Sequence, residues 1–140
     1  MNEASGVNKA IRGGCVPLGA RVQRIENSCG PGVPDVAVKW QGAWGWCECK
    51  FIGSWPKRQG TPVRFGNFTP EQRLWLRKHE EWLFVRVKSQ NPEWFLFDAV
   101  TAQTIDQKNQ MEWKRLATRH WVGKVDWGEW LGIIIHQEVK

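Results

Sequence analysis

Period-two alternation of apolar and polar positions marks most of this chain. Arg21-Val22-Gln23-Arg24-Ile25 alternates as a half-buried strand does. Val36 to Trp40 is rich in β-branched and aromatic residues, Gln41-Gly42-Ala43 supplies a turn, and Trp44 to Ile52 forms a second run closed by Gly53. Leu83 to Lys88 alternates again, with Leu83, Val85 and Val87 on one side and Arg86 and Lys88 on the other. Asn91-Pro92 turns the chain, and Trp94 to Val100 returns as an apolar strand that extends the sheet.

Helical spacing appears twice. Thr69 caps a helix running to about Glu81, with Pro70 at its first position and Gln72 three after the threonine in a capping box. That helix is expected to bury some of Leu74, Trp75, Leu76 and Trp82. Asp106 to about His120 reads as an amphipathic helix. It is apolar at Met111, Trp113, Leu116 and Ala117 and basic at Lys114, Arg115 and Arg119, placed either to cover the sheet or to touch nucleic acid. Residues 1–19 hold Gly6, Gly13, Gly14, Pro17 and Gly19 with little periodicity, which predicts a loose segment with at most a short helix. The last twenty residues, with Trp121, Trp127 and Trp130, form an extension expected to pack as a lid or partner surface. A chain of 140 residues suits one α/β domain with a mixed sheet flanked by helices.

Candidate chemistry gathers on the first strand pair. Side chains alternate across a strand, so Trp46, Glu48 and Lys50 share one face while Cys47, Cys49 and Phe51 take the other. Val36 and Val38 point away from Asp35. Two carboxylates and an ammonium therefore meet at the edge of the sheet. Converging carboxylates repel unless a cation lies between them, and Mg²⁺ (or Mn²⁺) typically takes one or two carboxylates. The main-chain carbonyl of Cys49 offers a further oxygen, making Asp35, Glu48 and Cys49 the candidate metal ligands. Such an ion polarises a phosphate and acidifies water, and Lys50 can orient that water or neutralise charge developing on phosphorus. Taken singly, a Glu-x-Lys on a strand is most often a solvated pair, and Pro-Asp is a common turn.

Pro34-Asp35 followed, twelve residues on, by Glu48-Cys49-Lys50 resembles the PD-(D/E)xK nucleases. Arg24-Ile25-Glu26-Asn27 before a Gly-rich loop, Trp55-Pro56-Lys57-Arg58 and Thr69-Pro70-Glu71-Gln72 extend the likeness to small phage-borne nucleases near the VRR-NUC and Holliday-junction resolvase branches, over about residues 20–100. The resemblance implies a restriction-endonuclease-like core, divalent-metal-dependent hydrolysis of DNA, and structure-selective cutting of branched substrates. It also implies a helix glutamine near the site, a place that Gln72 matches, with helix capping as the competing role. Many members add a glutamate from a helix before the first strand. Here Glu3 and Glu26 are the candidates, and Glu26 is preferred because it ends a strand just before the loop to Asp35. A surface strand-end glutamate explains Glu26 nearly as well.

Charge agrees with a polyanionic partner without demanding one. Lys plus Arg is 20 against 14 Asp plus Glu, giving a net charge of +6. Candidate DNA contacts are Arg24, the loop residues Lys57, Arg58 and Arg64 beside Trp55 and Phe65, and Arg73 with Arg77 on the capped helix. For the loop residues an ordinary solvated loop pinned by its aromatics is an equal alternative, and for Arg73 and Arg77 a solvated basic face is the simpler one. Of the eleven Trp several are expected in the core, with others partly exposed and available to stack on bases. The cysteines at 15, 29, 47 and 49 lack the paired spacing of zinc sites, so a zinc-stabilised interaction domain is a third-rank alternative. A non-catalytic nucleic-acid-binding module is the second. No membrane span or signal peptide is apparent, so a reducing cytoplasm is expected (a host's, if the chain is phage-encoded). Small size and surplus aromatic surface make a homodimer conceivable.

Overall fold

The computed structural model describes residues 3–25 and 32–135. The elements run α1 (Glu3–Cys15), a short 3-10 turn (Val16–Leu18), β1 (Arg21–Arg24), β2 (Val36–Trp40), β3 (Ala43–Ile52), α2 (Pro70–His79), β4 (Trp82–Val87), β5 (Glu93–Phe97), α3 (Ala99–Ala102), a second 3-10 turn (Ile105–Gln107), α4 (Gln110–Leu116), β6 (Arg119–Val122) and α5 (Trp127–Ile135). The six strands lie in sequence order, β1-β2-β3-β4-β5-β6. Each neighbouring pair is antiparallel except β3 and β4, which run parallel. A parallel pair needs a crossover. Residues 53–81, carrying the long loop and α2, supply it. The class is thus α/β with a mixed sheet flanked by helices, as the alternation predicts.

Strand parity sorts the core into two layers. Val36, Val38, Cys47, Cys49, Phe84, Trp94 and Leu96 face α1 and α5. Leu83, Val85, Val87, Phe95 and Phe97 face the other way, with Leu76 of α2, Ile105 and Trp113 of α4. Trp113 is fully buried, its Nε1 donates to the Ile105 carbonyl at 2.8 Å, and its ring meets Phe95, Phe97, Phe65 and Trp55 nearly edge-on. Edge-to-face packing suits the ring quadrupole, and truncating such a residue typically costs about 3–5 kcal/mol. On the opposite face α5 presses directly on β3: a Cβ at Gly45 would stand 2.7 Å from the Ile134 carbonyl oxygen, so only glycine fits there.

Several expectations need correction. Residues 3–15 form a full helix rather than a loose segment. Val7, Ile11 and Cys15 recur every four residues and are fully buried, and that packing outweighs the helix-weakening Gly6, Gly13 and Gly14. The helix read from Asp106 to His120 is only the seven-residue α4, capped by Asn109 with Glu112. Arg119 and His120 belong instead to β6, paired with β5. In α2, Leu76 is buried but Leu74 is 66% exposed. The C-terminal extension is no lid: Trp130, Leu131, Ile134 and Ile135 of α5 are core. Among the described residues, no helix is long and apolar enough to cross a membrane.

Candidate active site

The site forms where β3 outruns β2. Their antiparallel register ends at Val36 opposite Cys47, so Asp35 stands across from Glu48 just beyond the last pair. Opposite residues of an antiparallel pair project to the same face. β3 continues alone beside β4 through Ile52, carrying Glu48 opposite Leu83 and Lys50 opposite Val85. Asp35 is held from both sides. Its carbonyl accepts from Ile25 N–H at 2.8 Å, and its Oδ2 accepts from Cys49 N–H at 3.1 Å. Ahead of it Gly32, at φ 83°, lies so close to the Glu71 carbonyl of α2 that a Cβ would stand 2.5 Å from the oxygen. The loop therefore approaches the helix only through a glycine.

Lys50 is 8% exposed and has three oxygen neighbours. Its Nζ lies 3.2 Å from Glu48 Oε2, donates to Gln72 Oε1 at 3.1 Å and donates to the Asn67 carbonyl. Asn67 sits in the left-handed region at φ 66°, in the last turn of loop before Thr69. Gln72 caps α2 as expected and also reaches Lys50. Its Oε1 accepts from Thr69 N–H at 3.0 Å while Thr69 Oγ1 accepts from Gln72 N–H at 3.1 Å, completing the capping box. The cap thus places the carboxamide oxygen against the lysine.

Glu48 is 1% exposed, and its Oε1 has no hydrogen-bond partner. Burial first, and then the facing Asp35 carboxylate, push its carboxyl up to about 8 despite Lys50 pulling it down. Two acidic groups and an orphaned buried oxygen are the donor set that a hard divalent cation satisfies. Cys49 fits the same reading. A strand residue's N–H and C=O leave by the same edge. Because the Cys49 N–H reaches Asp35, its carbonyl also leaves by that edge. Among the described residues, no three His, Cys, Asp or Glu side chains converge as a metal cage. Glu26, the preferred third carboxylate, and Cys29 lie outside the described residues. Cys15, Cys47 and Cys49 are buried free thiols in the apolar layer, with Cys47 and Cys49 Sγ 3.9 Å apart.

The chain is similar to the Holliday junction resolvase Hjc of Archaeoglobus fulgidus, an archaeal hyperthermophile, at 17% identity and a TM-score of 0.44, over 69% of this chain and 76% of that one. No protein-family model matches the chain, and no curated protein matches it.

The expected DNA contacts divide. Arg24, Lys57, Arg58, Arg64 and Arg77 are exposed. Arg73 is not free. Its guanidinium makes a bidentate pair with Asp106 at 2.6 and 3.2 Å, donates to the Gln103 and Phe68 carbonyls and covers the Phe68 ring. It ties α2 to the segment after α3. Trp55 and Phe65 are likewise structural: Trp55 Nε1 donates to Glu93 Oε2 at 2.7 Å, and both rings pack on Trp113. The loop keeps its basic side chains in solvent and packs its aromatics against the core. Sequence reasoning missed Asn67, whose backbone carbonyl does the work. Its only sequence signal is Gly66-Asn67, a pair that favours turns and left-handed backbone.

Proposed function

We propose that this chain is a metal-dependent DNA endonuclease of the PD-(D/E)xK type that hydrolyses phosphodiester bonds, with branched DNA as the preferred substrate. One observation carries the reading: a buried Glu48 with an unpartnered oxygen faces Asp35, while Lys50 of the same strand is clamped by Gln72 and Asn67. A solvated charge pair on a strand would not be buried, nor held by a helix cap.

Asp35, Glu48 and the Cys49 carbonyl would hold Mg²⁺ or Mn²⁺. When bound, such an ion polarises the scissile phosphate and lowers the pKa of the attacking water. The residues contribute the rest. Cys49 N–H fixes the rotamer of Asp35. Gln72 and Asn67 fix Lys50. Lys50 reaches a phosphate oxygen or a water by giving up its 3.2 Å contact with Glu48 Oε2 while Gln72 and Asn67 keep hold of it. Held in this way, the ammonium stands ready for charge developing in the transition state. The exposed bases Arg24, Lys57, Arg58, Arg64 and Arg77 suit backbone phosphates.

The test is cleavage of plasmid, duplex and four-way-junction DNA with Mg²⁺ and with EDTA. Cutting that needs the metal, favours the junction and disappears in Asp35→Asn and Lys50→Met is expected. Tight binding with no cutting under any divalent metal would instead identify a non-catalytic nucleic-acid-binding module.

A further inference from the structure

The face of β3 that carries Glu48 and Lys50 also carries Trp46, one same-face position earlier, about 7 Å along the strand. α2 mirrors it. Gln72, Trp75 and His79 fall at i, i+3 and i+7 on one stripe of the helix. The two rows meet side by side: Lys50 against Gln72, then Trp46 against Trp75, with ring centroids 5.5 Å apart, and Trp75 against His79 at 4.1 Å. The catalytic cluster therefore continues, without a break, into an aromatic shelf.

This shelf is poorly explained as core. Trp46 belongs to neither apolar layer, and Trp75 only borders one. Both are half-buried, and His79 is exposed. Lys78 stands exposed beside Trp75 on the helix. Half-buried aromatic rings on a strand and a helix, the helix also carrying an exposed lysine, in a chain of net charge +6, suit a flat, anionic ligand. A base in a paired duplex hides both of its π-faces in the stack, whereas an unpaired base offers them.

We propose that Trp46 and Trp75, extended by His79, form a stacking subsite for one unpaired nucleobase next to the phosphate at the Asp35–Glu48–Lys50 cluster. The proposal rests on the nuclease reading for the identity of that phosphate, and it names the substrate class as DNA with an unpaired or splayed base beside the cut. The shelf is a binding element that holds the base, and the chemistry stays with the carboxylates and Lys50.

The experiment measures binding in EDTA, where nothing is cut, by fluorescence anisotropy with three probes: a duplex bearing one bulged thymine, the same duplex with an abasic unit in place of the thymine, and the fully paired duplex. The wild-type chain should bind the bulged thymine about tenfold more tightly than the abasic bulge, a low-end value for one stacked base. Trp75→Ala and Trp46→Ala should erase that ratio while leaving affinity for the paired duplex unchanged, and Trp75→Phe should keep most of it. Circular dichroism melts establish that each variant is folded, and the phenylalanine variant preserves the test if alanine is not tolerated. Equal wild-type affinity for the thymine and abasic bulges would overturn the proposal. So would a uniform loss on all three probes in Trp75→Ala. Self-association in the ultracentrifuge that Trp75→Ala abolishes, without any change in the binding ratio, would assign the shelf to a second copy of the chain. Absence of cutting by the wild type in Mg²⁺ would defeat the nuclease reading, and the thymine-to-abasic ratio would still report on the shelf.

Discussion

Asp35 and Cys49 are joined by a hydrogen bond of 3.1 Å from the Cys49 N–H to the Asp35 carboxylate, at the point where β2 no longer pairs with β3. The bond fills an empty rung of the ladder. An unpaired stretch of strand edge is thereby turned into a carboxylate holder, and the side chains on either side of Cys49 are Glu48 and Lys50. The alternation of one strand and the end of its neighbour bring Asp35, Glu48 and Lys50 together.

A divalent ion that binds there should stabilise the fold. A ligand that binds the folded state at a hundred times its dissociation constant contributes about 2.7 kcal/mol. For a chain of this size that is a rise in Tm of roughly 5–10 °C. Wild-type protein melted in EDTA and then in millimolar Mg²⁺ or Mn²⁺ should show the rise. Glu48→Gln, which keeps the shape and removes the charge, should show little or none. An equal rise in both proteins would place the ion elsewhere.

Gln72 serves the helix cap and Lys50 together, and its two duties separate by mutation. Thr69→Ala removes the hydroxyl that caps α2 and should cost about 1 kcal/mol of stability with little change in kcat. Gln72→Ala should cost a similar amount of stability. It should also lower kcat by roughly ten- to a hundredfold, because a misdirected ammonium forfeits positioning. Thermal melts beside single-turnover cleavage check this pair. If both variants lower kcat alike, the helix as a whole positions Lys50, and not the carboxamide.

The cluster was legible because it depends on short-range rules: alternation within β3, a tight turn at Gln41-Gly42, and a capping box that sets the phase of α2. What was not legible depends on distant contact. α1 is held by Val7, Ile11 and Cys15 against the sheet, and its glycines hid that spacing. β6 exists because β5 offers an edge to residues 119–122, of which helical periodicity claims Arg119 and His120 for the helix before it. The clamp on Lys50 by the Asn67 carbonyl is a backbone contact, which side-chain patterns do not encode. Composition could not say which aromatics are buried. Trp113 fills the core and Trp55 packs against it, while Trp46 and Trp75 border the site.

Arginines of equal charge should behave differently. Arg58 is exposed on the long loop, and Arg73 is locked to Asp106. Arg58→Ala should leave Tm unchanged and weaken DNA binding, reducing the slope of log K against log salt by about 0.9 if it neutralises one phosphate. Arg73→Ala should instead lower stability by roughly 1–2 kcal/mol, since it breaks charge-assisted hydrogen bonds and uncovers Phe68, and it should leave the salt slope alone. Anisotropy titrations at several salt concentrations, with melts alongside, separate the two. A changed slope for Arg73→Ala would mean that its ion pair opens to DNA.

Glu81 sets a pH dependence of stability. Its carboxylate accepts from the Trp46 N–H at 3.2 Å, at the start of the β3–β4 pairing. Burial pushes its carboxyl from 4.5 up to about 7, although the hydrogen bond from Trp46 pulls the other way. The folded state thus holds a proton that the unfolded chain releases at lower pH. Stability from this group is fully present below pH 4.5 and is lost as pH rises through about 7. Metal-free protein should therefore melt at a higher temperature at pH 5 than at pH 8. Glu81→Gln, which keeps an oxygen for Trp46 and never ionises, should melt higher than wild type at pH 8 and show a flatter profile. Glu48 is pushed in the same direction, so the slope remaining in that variant belongs to Glu48. A Glu81→Gln profile that parallels wild type between pH 5 and 8 would show that Glu81 stays ionised in the folded chain and reaches water at the end of α2.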